Sequence, residues 1–118
     1  MSSENGARTA DAIVAARDNI ALIREWAADL SLETLKSDRK TRYAIERAFI
    51  AMDAAMRDAA PDSLLAHGVP TAMIAGFRNI LAHTYDDVLD DRVILTIRDD
   101  LPALDMALEK MLAALRPA

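Results

Sequence analysis

Apolar residues in this chain return every three or four positions and nowhere on every second one, a spacing that fits helices and gives a sheet no face to bury. Ile13, Ala16, Ile20, Ile23, Ala27 and Leu30 make one such seam and predict an amphipathic helix over residues 8–30, with residues 1–10 largely a flexible tail. Ser31 is placed to cap a short turn through Leu32 and Leu35. Asp38 is placed to cap a second long helix, whose seam is Ile45, Ala48, Met52, Ala55 and Ala59 and which Pro61 ends. Residues 61–70, with Gly68 among them and a proline at each end, are predicted to be a loop. Thr71 starts a further helix holding Met73, Phe77, Ile80 and Leu81, which runs out over residues 83–87.

The last segment keeps its seam through Ile94, Ile97, Leu101, Leu104, Leu108, Met111 and Leu115. Pro102 falls inside it. A proline there has no N–H to give and crowds the preceding turn, so a kink is expected near residues 99–101. With brief connections and one stripe per helix, the simplest packing is an all-α antiparallel bundle of four long helices plus one short helix. At 118 residues it is a single domain, residues 1–118.

Composition narrows what such a bundle does. There is no cysteine, which excludes disulfides and thiolate metal sites and suits a reducing, cytoplasmic setting. No signal-like opening and no run of eighteen apolar residues argue against export and membrane spanning. The net charge of −5 opposes indiscriminate nucleic-acid binding. The charge is uneven, however: Lys36, Arg39, Lys40, Arg42 and Arg47 stand against only Asp38 and Glu46, whereas eight acids face two arginines between Asp86 and Glu109. Any contact with RNA would therefore draw on the basic segment, through Arg42 and Arg47. With 4% aromatic residues, few rings are at hand to stack bases, and weak sequence preference is expected.

Functional residue types gather only in residues 76–88, GFRNILAHTYDDV. Arg78 is a fixed cation whose fork of donors suits a phosphate, and His83 exchanges a proton near neutral pH. Together they suffice for phosphodiester chemistry with neither metal nor cofactor: His83 moves the proton of an attacking or leaving oxygen, and Arg78 stabilises charge on the phosphorus oxygens. Asn79 lies four residues before His83, on the same helix face, and could orient the imidazole. Arg78 and His83 are five apart and diverge by about 140°, so one helix does not aim both at one phosphate. A two-fold dimer that pairs this helix with its copy would. The spacing equally suits a capping cation, a histidine on the helix dipole and a half-buried Tyr85, and it does not choose between the readings.

The run Arg78-Asn79-Ile80-Leu81-Ala82-His83-Thr84-Tyr85 resembles the Arg-x4-His-x-Tyr motif of the HEPN superfamily, and specifically of its HepT-like toxins, in which Asn commonly follows the Arg. The Glu46-Arg47 pair, Asp53, Pro70 before the motif and the Asp100-Leu101-Pro102 step also stand where such proteins have similar features; only the first dozen residues fall outside the resemblance. The resemblance implies a homodimeric, metal-independent ribonuclease acting as a toxin, with Arg78 and His83 of both subunits catalytic and Asn79 supportive. It also implies a partner, an MntA-type nucleotidyltransferase antitoxin that silences the toxin by transferring AMP to Tyr85. The alternative is a non-catalytic helical module that docks a nucleotidyltransferase and helps to hold its substrate.

Overall fold

A computed structural model describes residues 2–28, 31–59, 61–69 and 94–116. Every regular element among them is helical: α1 (Ser2–Ala27), α2 (Leu32–Ser37), α3 (Arg39–Asp58), α4 (Pro61–Ala66), a π-helical turn (Thr96–Asp100) and α5 (Leu101–Leu115). None of these helices is long and apolar enough to cross a membrane. The long helix expected over residues 71–88 lies outside the described residues.

The three seams meet in one core. Ile13, Ala16, Ile20 and Ile23 of α1, Ile45, Ala48 and Met52 of α3, and Leu101, Leu104, Leu108 and Met111 of α5 are all buried. Phe49, Met56, Leu64 and Val69 complete the cluster from positions outside the seams. α1 lies along α3 on one side and α5 on the other. Contacts across the second pair run from Asp11 with Arg116, through Arg17 with Asp105, to Ala27 beside Ile97, so α1 and α5 are antiparallel. The Arg17–Asp105 bond of 2.9 Å is half-exposed and the Arg116–Asp11 bond of 2.8 Å is exposed; each is worth at most about 1 kcal/mol, and together they mark the register of the two helices.

Capping follows the sequence closely. Ser31 accepts the Thr34 N–H at 3.1 Å and starts α2. Asp38 closes α2 by donating its own N–H to the Thr34 carbonyl, and opens α3 by accepting the Thr41 N–H at 3.1 Å and the Thr41 hydroxyl at 2.7 Å. Those two hydrogen bonds, the hydroxyl's first, hold the Asp38 carboxyl below its ordinary value of 3.8. A depressed carboxylate stabilises the fold above the unfolded-state value and loses that contribution as pH falls through the folded one. Asp38→Asn keeps a good cap without the charge. The wild-type advantage over Asp38→Asn in urea unfolding is therefore expected to hold at pH 7 and to narrow below about pH 4.

Three stretches differ from expectation. α1 is helical from Ser2, six residues before the predicted start at residue 8, because extending a formed helix adds a hydrogen bond per residue without a new nucleus. The irregularity expected near residues 99–101 is a π-helical turn: the Leu101 N–H reaches back to the Thr96 carbonyl, and Pro102 follows within the first turn of α5. The predicted loop over residues 61–70 is corrected, since residues 61–66 form α4. Pro61 ends α3 and also starts the next helix, because its fixed φ suits the first helical position and the N–H it lacks is not needed there.

Gly68 ends α4. Its φ of +86° lets Val69 N–H reach the Leu64 carbonyl at 2.9 Å and its own N–H reach that of Leu65 at 3.1 Å, a Schellman arrangement that drops Val69 and Leu64 together into the core. A Cβ at Gly68 would meet nothing within 4 Å, so the penalty there is purely conformational. Gly68→Ala is expected to cost about 1–2 kcal/mol in denaturant unfolding, and Gly68→Asn less.

Candidate functional site

α3 presents three stripes. At 100° per residue the apolar seam occupies one side, and Arg42, Glu46, Phe49 and Asp53, spaced four, three and four apart, form a second stripe about a quarter turn around. Arg42, Phe49 and Asp53 are buried, Glu46 is half-buried, and all four side chains have partners. Asp53 takes a charged hydrogen bond of 3.0 Å from Arg57, one turn on. A guanidinium and a carboxylate are withdrawn from water only where other polar groups receive them, so this is a polar seam built into the bundle beside the apolar one.

The third stripe faces out. Tyr43 is 54% exposed, and the guanidinium of Arg42 stands 5.6 Å from the centre of its ring. Arg47 is also exposed, so the two arginines expected to contact substrate part company: five residues apart, Arg42 turns inward and Arg47 outward. Tyr43 was not among the candidates. Its signal is the four-residue step to Arg47 on the side opposite the seam, which gains meaning only once the seam is known to be buried.

Arg78, Asn79, His83 and Tyr85 lie outside the described residues, as do Asp90 and Asp91. The described chain meets that segment at Val69, fully buried, and at Ile94, half-buried against the same core. His67, half-buried, follows α4, and its N–H reaches the Leu64 carbonyl at 3.3 Å. Trp26 is 38% exposed at the end of α1, as befits a packing residue at the core's margin. A cleft of about 240 Å³ opens between the end of α1 and the π turn, with Arg24 and Arg98 at its rim, and the described residues that line it include no acid, histidine or nucleophile. No three of the described His, Asp and Glu side chains gather as a metal ion requires.

These observations define a domain that is helical in every regular element among the described residues and whose third helix carries a stripe with buried charged side chains. Residues 16–111 match the ribonuclease HepT-like family, and the chain belongs to that family. It is 32% identical over 94 residues to a protein described as a probable ribonuclease HepT from Thermococcus cleftensis, an alignment covering 78% of this chain and 84% of that one. No solved structure matches it.

Proposed function

We propose that this chain is a metal-independent endoribonuclease, the toxin half of a toxin–antitoxin pair, acting through a composite site in a two-fold homodimer. The observation that carries the reading is the family match over residues 16–111, which spans the whole of Arg78, Asn79, His83 and Tyr85. The relative from Thermococcus cleftensis, described as a probable ribonuclease, supports it.

In this reading the His83 imidazole takes the proton of a ribose 2′-hydroxyl as the O2′–P bond forms and the P–O5′ bond breaks. The His83 of the second subunit returns a proton to the departing O5′. Arg78 from each subunit stabilises the charge that builds on the non-bridging oxygens, and Asn79 orients the imidazole. The products are a 2′,3′-cyclic phosphate and a 5′-hydroxyl, and no cofactor takes part. Two copies are needed because one helix directs Arg78 and His83 about 140° apart. Arg47, exposed, contacts the RNA backbone, a role the buried Arg42 does not share.

Tyr85 is the acceptor in the control reaction, in which an MntA-type nucleotidyltransferase joins the phenol oxygen to the α-phosphorus of ATP and releases pyrophosphate. The added nucleotide brings bulk and negative charge to the mouth of an anion-binding cleft and shuts out RNA.

The test is incubation of the purified chain with single-stranded RNA in excess EDTA. Cleavage to cyclic-phosphate ends supports the reading. Intact RNA, together with tight binding of a nucleotidyltransferase, would replace it with the docking module.

A further inference from the structure

The exposed stripe of α3 is a basic surface on an acidic chain. Arg39, Tyr43, Arg47, Ile50 and Arg57 fall within about 80° of one another around the helix, with Lys40 at the margin, and all six are exposed. From Arg39 to Arg57 the stripe runs about 27 Å at 1.5 Å per residue. Asp58 lies at its far end, where Arg57 is also paired with Asp53 of the neighbouring stripe at 3.0 Å, so the net positive charge is concentrated at Arg39, Lys40 and Arg47, whereas the whole chain carries −5. Arg47 makes no salt bridge among the described residues. Two apolar side chains sit between the cations, Tyr43 at 54% and Ile50 at 42% exposure.

Cations spaced along a groove or ridge with an open ring between them are what a single nucleic-acid strand requires: charges for the phosphates and a flat face for a base. Tyr43 is prepared for that use. The guanidinium of Arg42, 5.6 Å from the ring centre, stands over one face and restrains the ring, and Arg42 is itself fixed by burial. Arg47 follows one turn, about 6 Å, along the helix.

We infer that the outer face of α3 is a docking strip for single-stranded RNA, in which a base stacks on Tyr43 and Arg39, Arg47 and Arg57 meet backbone phosphates. The inference rests on the ribonuclease reading for its choice of ligand, and adds to it a surface built by α3 from residues other than Arg78 and His83. Because stacking on a ring tolerates any base, the strip contributes affinity and direction of approach and little sequence preference.

The experiment measures binding of a fluorescein-labelled twelve-nucleotide single-stranded RNA by fluorescence polarisation at several salt concentrations, with full-length chain carrying His83→Ala to prevent turnover. Tyr43→Ala is expected to weaken binding about five-fold or more, and Tyr43→Phe to restore it. Arg47→Ala is expected to weaken binding and to reduce the slope of log affinity against log salt by roughly 0.7, a change Tyr43→Ala does not produce. Arg8→Ala, an exposed cation on α1, serves as the control and is expected to leave affinity within about two-fold. Unchanged affinity in Tyr43→Ala and Arg47→Ala, or equal loss in Arg8→Ala, overturns the strip. So does conversion of an oligomer to monomer by Tyr43→Ala, which would give the face to a second copy. Cleavage by chains with His83 intact is followed in parallel. Cutting that ignores both strip variants defeats the strip alone, and strip-dependent binding without cutting defeats only the ribonuclease reading. Absence of both binding and cutting defeats the two together.

Discussion

His83→Ala is expected to lower the rate of RNA cleavage in EDTA by about 10²- to 10⁴-fold, the contribution of a positioned proton carrier. Arg78→Ala is expected to act on the same scale, about 10²- to 10³-fold, because it removes the charge that meets the developing oxyanion. Both substitutions should also relieve growth arrest when the chain is expressed without a partner. The double variant should be little worse than either single one, since the two residues serve one step and their losses do not add. His83→Ala with undiminished cutting would remove the imidazole from the chemistry whatever the family match. A loss of cutting accompanied by a loss of folding would be visible in the circular dichroism of the same sample.

The largest expected effect on stability is at Phe49. Its side chain is 1% exposed and lies on α3 where the apolar seam meets the polar stripe, within the core cluster shared by α1 and α5. Removing the ring takes away its burial and leaves a cavity that helices held on two sides do not readily close, so Phe49→Ala is expected to cost about 3–5 kcal/mol. A domain of this kind has about 5–15 kcal/mol in total, and the midpoint of thermal unfolding should fall by more than about 10 °C. Phe49→Leu keeps most of the volume and should recover over half of that loss. A Phe49→Ala protein that melts within a few degrees of wild type would show that α3 is not clamped as described.

Much of the fold was legible in the residues because helical periodicity is a local property. The steps of three and four through α1, α3 and α5 named the buried side of each helix, and the core contains nearly all the described seam positions. Ser31 and Asp38 were recognisable as caps because a short oxygen-bearing side chain at that point has one favourable use. α4 was missed where Pro61 was read only as a stop; the same ring geometry that ends one helix suits the start of the next. The motif of Arg78, His83 and Tyr85 stands in the sequence and lies outside the described residues, and the basic face of α3 was half legible. There the basic segment was evident, but not that Arg42 turns in while Arg47 turns out.

The sequence by itself determined the long described helices, their buried seams and the family, all of which depend on residue type and spacing along one chain. Tertiary structure decided which charges leave water. Arg42 and Asp53 look like any other charged residues on an amphipathic helix, and what withdraws them is the packing of the bundle over that side of α3, with polar partners such as Arg57 meeting Asp53 there. The same packing leaves Tyr43 and Arg47 outside, because a helix that gives two of its sides to the bundle keeps the third in water.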